Sequence, residues 1–327
     1  MPAHRQVRIS TESWQFKSPL RITGYTFSTL HLLYVAIHEN GSTGSGEATG
    51  VYYLGETGDS MLAQAESVKN LLGQGAGRHE IRSVLPAGGA RNAIDCALWD
   101  LEAKLAGQSI WQLTGVNPLP TECLLTIGID SPERMANRAL SLDSNKIKVK
   151  LDADLPFERI SAVRNARPDA EILVDVNQGW TFEQLTELAP KFKDLEIAMI
   201  KQPLPRGADE ELEAYVSPIT LCADESCLDS SEFEQAAQRY QMINIKLDKT
   251  GGLTEALELA GLALGRGLEL MVGNMGGTSL GMAPGFVVAQ MCRFVDLDGA
   301  VFLTRDRANP MIYHGGMVSP PSAELWG

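Results

Sequence analysis

The chain has 327 residues and a formal net charge of −13, from 41 acidic against 28 basic side chains, and 44% of its residues are apolar. That length corresponds to two domains or to one large α/β barrel with additions, and the apolar content excludes a disordered chain. The acidic balance excludes a surface built to coat nucleic acid or an anionic membrane.

The stretch from Met1 to Trp14 is polar and lacks the apolar segment of a signal peptide. No run approaches the ~18 apolar residues of a membrane span, so a cytoplasmic chain without a membrane partner is expected. The five cysteines (Cys96, Cys123, Cys222, Cys227, Cys292) form no Cys-x-x-Cys and read as buried free thiols of a reducing compartment. Four of the five histidines lie at or before His79 and the last is His314. That distribution works against Ser-His-Asp or Cys-His catalysis and against a His-rich metal site.

In chain order, Arg21–Phe27 and His31–His38 read as strands, the second followed by the turn Glu39-Asn-Gly-Ser. Gly44–Gly50 is glycine-dense and reads as a surface loop; no Gly-Lys-Ser/Thr follows, so it is not a phosphate-binding loop. The pattern turns helical from Ser60, breaks at Pro86-Ala-Gly-Gly, and resumes over Ala90–Leu105 with Ile94, Leu98, Leu101 and Leu105 on one stripe. Residues 1–120 thus form an α+β unit. The Pro- and Gly-rich residues from about 304 to 327 are expected to pack back on it.

From Cys123 short apolar strands alternate with helices. The predicted strands are Leu124–Ile127, Lys146–Lys150, Glu171–Val176, Ile197–Ile200, Thr220–Cys222, Met242–Ile245, Glu269–Val272 and Phe294–Asp296. Helical stretches such as Pro156–Ala166, Thr181–Ala189 and Leu253–Leu264 lie between them. Eight strands in this rhythm predict a (β/α) barrel over residues 121–303. A doubly wound sheet competes, but no Gly-x-Gly-x-x-Gly follows a first strand.

Polar residues follow these strands in phase: Lys148 and Lys150, Asp175 and Asn177, Lys201 and Gln202, Asp224 and Glu225, Lys246 and Asp248, Asp296 and Asp298. The steps from Lys150 through Asp175, Lys201, Asp224 and Lys246 to Asp296 are 25, 26, 23, 22 and 50 residues. A step near one β/α unit returns each side chain to the same rim, the C-terminal face where barrel active sites are built. Each motif alone has an ordinary reading as a rim salt bridge, a turn or a helix cap. In phase, converging carboxylates without a histidine suit a hard cation such as Mg²⁺, and flanking lysines suit paired acid and base roles.

With these residues in place the chain resembles the enolase superfamily, in the branch of muconate-lactonizing enzymes and dipeptide epimerases. The resemblance runs through Ala90-Arg-Asn-Ala-Ile-Asp-Cys-Ala-Leu-Trp-Asp100, Lys146-Ile-Lys-Val-Lys-Leu151, Val174-Asp-Val-Asn177 and Gln202-Pro-Leu-Pro205. It continues through Ala223-Asp-Glu-Ser226, Asn244-Ile-Lys-Leu-Asp-Lys-Thr-Gly-Gly-Leu253 and Val295-Asp-Leu-Asp-Gly299. It implies an α/β fold, a modified TIM barrel (β/α)₇β with an N-terminal α+β capping domain. It also implies removal and return of a proton α to a carboxylate. A Lys or His base with magnesium stabilising the enediolate is the general pattern of that superfamily rather than a reading of this chain.

By that resemblance Lys150 and Lys246 are the acid/base pair, with Lys148 as electrostatic support. Asp175 and Asp224 are metal ligands, and Asp296 and Asp298 hold the α-ammonium of a dipeptide substrate. Val272–Ser279, with Asn274, resembles the seventh-strand loop that lines the pocket. Two departures stand out. The family's middle metal ligand is a glutamate in Ile-Glu-Gln-Pro, whereas this chain reads Ile200-Lys-Gln-Pro203. Charged Lys201 cannot ligate Mg²⁺. Three readings stay open: drift in an impaired relative, Lys201 as a fixed cation in place of the ion, or Asn177 or water completing a two-carboxylate site. In relatives acting on Ala-Glu a basic residue of the N-terminal loop binds the glutamate carboxylate, and Gly24 aligns there. Tyr25 and Phe27 instead suggest an apolar lid suited to a less acidic side chain.

The expected activity is therefore a dipeptide epimerase, an isomerase transferring a proton at the α-carbon of the C-terminal residue. The alternatives are a lactonizing or cycloisomerase relative, against which the Asp296/Asp298 pair argues, and a non-catalytic ligand-binding relative, which Lys201 favours. A homo-oligomer is compatible with the sequence.

Overall fold

A computed structural model describes residues 5–22 and 24–327. Residues 1–4 of the polar N-terminal stretch, and Thr23 within the predicted Arg21–Phe27 strand, lie outside the described residues. The chain opens with an antiparallel sheet, β1 (Gln6–Ile22), β2 (Tyr25–Glu39) and β3 (Ser42–Ala48), in that spatial order. Asn40 and Gly41 join β2 to β3 with φ of 48° and 83°. Positive φ at both central residues is what a two-residue hairpin turn requires, and Asn-Gly adopts it at least cost.

Two expectations change here. Arg21–Phe27 is not one strand, because Arg21 and Ile22 end β1 and pair back onto Thr26 and Tyr25 of β2. Gly24, at φ 77°, sits at the tip. Gly44–Gly50 is not a surface loop, because most of it is β3. Its glycines serve close packing: a Cβ on Gly44 would stand 2.1 Å from the Ala97 carbonyl oxygen, and one on Gly46 2.2 Å from that of Ala93.

The partner in that contact is α4. Helices α1 (Gly58–Ser67), α2 (Lys69–Gly73) and α3 (Arg78–Val84) precede α4 (Gly89–Ala106). Most of α4 is buried, Arg91, Asn92, Asp95 and Asp100 included. It is wedged between the N-terminal sheet and the barrel rather than lying on a surface. Arg91 donates to the carbonyls of Thr250 (2.6 Å) and Gly251 (3.1 Å), and Asp95 accepts from the Thr254 hydroxyl at 2.6 Å. Ile94, Leu98 and Leu101 of the predicted stripe are buried, whereas Leu105 is exposed at the end of the helix.

After α5 (Ile110–Thr114) and β4 (Thr121–Glu122) the strands become parallel. They are β5 (Leu125–Ile127), β6 (Lys146–Lys150), β7 (Glu171–Asp175), β8 (Met199–Lys201), β9 (Thr220–Ala223), β10 (Met242–Ile245), β11 (Glu269–Val272) and β12 (Phe294–Val295). Helices α6 (Pro132–Leu140), α7 (Pro156–Ala166), α8 (Phe182–Asp194), α9 (Phe233–Arg239), α10 (Leu247–Thr250), α11 (Leu253–Gly265) and α12 (Ser279–Ala289) connect them. The strands stand in sequence order, and the Leu124 N–H donates to the Val295 carbonyl at 2.7 Å, joining the two ends of the sheet. Inside, Leu124, Leu173, Met199, Cys222, Met242, Met271 and Phe294 form one apolar cluster. Alternate residues such as Ile147, Val149, Ile172, Ile200 and Ile243 point the other way, into the core shared with the helices. The fold is the capped, modified TIM barrel expected from the sequence.

The C-terminal residues run from barrel to cap. Thr304 N donates to Gln15 O, Arg307 pairs with Glu47 and Glu12, and β13 (Tyr313–His314) with β14 (Met317–Val318) adds to β4. Gly327 N donates to Asp100 of α4 at 2.7 Å. The cysteines are all free. Among the described residues no helix is long and apolar enough to cross a membrane.

The strand–helix contact sets a prediction. Gly46→Ala forces β3 away from α4, and overpacking of this kind costs about 1–3 kcal/mol or more. Denaturant unfolding should register that loss; unchanged stability would mean the strand does not depend on this approach.

Candidate active site

Side chains alternate along a strand, so the residue ending each barrel strand on the inner row is set by the apolar residue two positions before it. Leu173 thereby places Asp175 inward, Met199 places Lys201, and Cys222 places Asp224. Strand register then decides which side chains are neighbours. Lys150, Asp175 and Lys201 are direct partners across β6, β7 and β8, and Lys201 pairs with Cys222, two residues before Asp224. The charge along this row alternates.

The alternation is a chain of contacts. Lys150 donates to Asp175 Oδ2 at 2.7 Å and to Asn177 Oδ1 at 2.7 Å. Lys201 donates to the same Asp175 oxygen at 2.6 Å and forms an ion pair with Asp224 Oδ2 at 2.7 Å. Lys246 reaches that Asp224 oxygen at 2.8 Å, and Lys249 reaches Asp224 Oδ1 at 2.8 Å. At Asp224 the contacts are ion pairs rather than aligned hydrogen bonds. Lys201 is 1% exposed, and both carboxylates are fully buried.

Burial disfavours every one of these charges, and proximity restores most of them. For Lys201, burial is outweighed by Asp175 and Asp224, so its ammonium is held well above the ordinary lysine range. Against burial, Lys150 and Lys201 hold Asp175 below the usual carboxylate range, and Lys201, Lys246 and Lys249 do so for Asp224. Lys150 goes the other way: burial, with Lys201 and Lys148 nearby, brings it down to about 8 despite Asp175. Burial and the Asp224 charge raise Glu225, whose Oε1 accepts from the Asn177 amide at 3.1 Å.

The other side of the mouth carries the second acidic pair. Lys148 donates to Asp296 Oδ2, while Asp296 Oδ1 is buried without a hydrogen-bond partner. Asp298 Oδ2 accepts from the Thr126 hydroxyl (2.8 Å) and N–H (3.2 Å). Burial and the Asp296 charge push Asp298 up to about 6. The Asn274 amide donates to the Asp296 carbonyl at 2.6 Å.

A cavity of about 580 Å³ opens between barrel and cap, within the ~300–1,000 Å³ range of small-molecule sites. Lys148, Lys150 and Lys246 line it with Asn177, Asn274 and Asp298. The first two strands supply Phe16, Leu20, Ile22, Phe27 and Leu30, and among the described residues no arginine lines it. Lys201, Asp175, Asp224 and Asp296 stand behind the wall. Gly24 is exposed at the hairpin tip and is not part of the wall. Tyr25 is 43% exposed and meets the cavity only through its neighbours, stacked on Phe27 (6.0 Å) and edge-on to Tyr52 (4.7 Å).

Known proteins share this architecture. Residues 4–115 match the family described as mandelate racemase / muconate lactonizing enzyme, N-terminal domain, and residues 133–324 match the enolase C-terminal domain-like family. The chain belongs to the enolase superfamily. Within this superfamily it is 42% identical to the L-Ala-D/L-Glu epimerase of Escherichia coli over 307 residues, 92% of this chain and 95% of that one. An enolase family member from Agrobacterium tumefaciens with homology to dipeptide epimerases, solved with sodium and L-Ala-L-Glu, superposes with a TM-score of 0.96 at 38% identity. That match covers 99% of this chain and 100% of the other. A dipeptide epimerase from Methylococcus capsulatus, complexed with Mg and L-Arg-D-Lys, superposes at 0.90 with 29% identity, covering 98% and 97%.

Superfamily neighbours thus include magnesium complexes, which sets the residues here beside that ion. They do not fit it. A divalent hard cation takes oxygen ligands, and between Asp175 and Asp224 stands an ammonium within 2.7 Å of both. Among the described residues no group of three or more His, Cys, Asp or Glu is placed to hold a metal ion. Asn177 is turned to other partners: its oxygen accepts from Lys150 and its nitrogen donates to Glu225.

Lys249 has a part that the sequence motif contained but did not assign. Besides Asp224 Oδ1, it donates to the carbonyls of Asp224 (2.6 Å), Asn244 (2.8 Å) and Cys227 (2.9 Å). The signal was a second lysine three residues after Lys246, at the start of the turn Thr250-Gly-Gly. Lys249→Met leaves a buried carboxylate short of one cation and takes a donor from three buried carbonyls. Breaking a buried pair from one side costs about 3–5 kcal/mol. Urea unfolding should show a loss of that order, and a loss below about 1 kcal/mol would contradict the assignment.

Proposed function

We propose that this chain is a dipeptide epimerase working by proton transfer between two lysines. One observation carries the reading. In the ring of eight strands, β6 and β10 are separated by three strands on either side, so Lys150 and Lys246 enter one cavity from opposite walls. That arrangement suits removal of a proton from one face of a carbon and its return to the other.

The two arcs between these lysines differ in charge pattern, which orients a dipeptide. One arc holds Asp175, Lys201 and Asp224. The other holds Asn274, Asp296, Asp298 and Thr126. The cavity-lining Asp298 suits the α-ammonium, and Asp296, buried just behind it with one carboxylate oxygen free of hydrogen bonds, adds negative potential on that side. The C-terminal α-carbon then lies between the lysines. One lysine, as the free amine, takes the α-proton, and the C–H electron pair passes into the carboxylate to give an enediolate. The opposite ammonium delivers a proton to the other face, and the two lysines end with their protonation exchanged. A Lys150 near 8 has an amine fraction available close to neutral pH. Lys148, held charged by Asp296 against burial, adds positive potential where the enediolate forms. The apolar wall of Phe16, Leu20, Ile22, Phe27 and Leu30, without an arginine, supports an uncharged C-terminal side chain over a glutamate.

The test follows α-deuterium incorporation by NMR for L-Ala-L-Leu and L-Ala-L-Glu in D₂O. Exchange is expected for both epimers, faster for the leucine dipeptide. Lys150→Ala and Lys246→Ala should each lower interconversion by about 10²–10⁴. Absence of exchange on every dipeptide tried would sink the reading. A pH series adds a second check. Asp298 is charged above its pKa of about 6 and loses that charge as pH falls through it. One unit lower, about a tenth of the carboxylate remains, so KM for a dipeptide should rise roughly tenfold by pH 5. Asp298→Asn should flatten that rise; an unchanged profile in the variant would remove Asp298 from ammonium binding.

A further inference from the structure

We propose that Lys201 is a built-in replacement for the divalent ion: its ammonium fills the point between Asp175 and Asp224, and the protein takes up no divalent cation there. The chain Lys150–Asp175–Lys201–Asp224–Lys246 is continuous, with Lys201 at its centre, 2.6 Å from one carboxylate and 2.7 Å from the other. Each shared oxygen, Asp175 Oδ2 and Asp224 Oδ2, already receives two ammonium groups. A metal entering here has to displace Lys201 and then face Lys150 and Lys246 at the same oxygens and Lys249 at the other oxygen of Asp224. Repulsion between these cations in a buried site opposes that entry.

The charge balance points the same way. Three carboxylates with one divalent ion sum to −1, and two carboxylates with one ammonium also sum to −1. A single glutamate-to-lysine change therefore removes the ion's ligand and still leaves the net charge of the cluster where it was. Drift in a decaying site leaves a different signature, namely unpaired charges. Here the ammonium is fully buried, centred and paired on both sides. Lys201 does not line the cavity, so it acts through its partners. It is a positioning residue that keeps both carboxylates ionised, and these in turn hold the two cavity lysines. The one-charge ion pair has lower charge density than a divalent ion and no open coordination site. The substrate carboxylate must therefore be met by the wall lysines rather than by a metal.

The test is Mn²⁺ titration by calorimetry, which reads the site whether or not the epimerase assignment is correct. Wild type should bind no Mn²⁺ at this site. Lys201→Glu, restoring a third carboxylate, should bind one Mn²⁺ per chain, more than about 100-fold tighter than wild type. If Lys201→Glu does not fold, Lys201→Met decides: its melting temperature should rise with added Mn²⁺ while that of wild type stays constant. Stoichiometric Mn²⁺ binding by wild type that is lost in Asp175→Asn overturns the proposal. So does a folded Lys201→Glu, or a Lys201→Met, that gains no response to Mn²⁺. Activity supplies an independent arm: dipeptide exchange by wild type should be unaffected by EDTA, and a loss restored by Mg²⁺ overturns the proposal. Absence of exchange on any dipeptide sinks the epimerase reading while the titration still decides the role of Lys201.

Discussion

The alternation of side chains along short parallel strands, combined with a fixed register between them, places cation and anion in turn around the barrel mouth. Lys150, Asp175 and Lys201 are neighbours because β6, β7 and β8 pair them directly. A slip of one residue in any of these strands turns its charged side chain into the apolar layer under the helices and brings an isoleucine or valine to the mouth. The apolar cluster beneath, from Leu124 to Phe294, fixes that register. Packing at the bottom of the barrel thereby sets electrostatics at the top.

Burying five lysines and as many carboxylates in one rim is sustainable only as a paired set. An isolated ion costs several kcal/mol to desolvate, and removing one partner of a pair exposes that cost. In the central row Asp175 meets two lysines, Lys201 two carboxylates and Asp224 three lysines, so no single contact carries that row. Such an arrangement also separates roles by surroundings. Lys148 and Lys201 are held charged by the carboxylates about them, whereas burial, with two other cations nearby, brings Lys150 down to about 8. The same residue type thus stands as fixed charge at two positions and titrates closer to neutral pH at another.

Much of this was legible in the sequence. Strands with an apolar residue two positions before a charged one, repeating near every 24 residues, give the barrel and the rim, and the strands Lys146–Lys150, Met242–Ile245 and Glu269–Val272 stand as read. What was not legible depended on partners distant in the chain. The glycines of β3 looked like a loop because their purpose is the approach of α4, some 50 residues on. Leu105 fits the helical stripe but lies in the last turn of α4, where it is 40% exposed. Gly24 and Tyr25 were placed by alignment at the pocket, yet the hairpin tip sets Gly24 in solvent and Tyr25 behind Phe27. The place of Lys201 was readable from phase alone; that its ammonium bridges both carboxylates required the side-chain geometry.

What lies between Asp175 and Asp224 decides how this site works. A crystal soaked in Mn²⁺, with anomalous scattering recorded at the manganese edge, observes that point directly. No anomalous peak is expected there, with Lys201 density bridging the two carboxylates. A peak at about 2.1–2.2 Å from both carboxylates, with the Lys201 side chain displaced, would contradict this placement of Lys201.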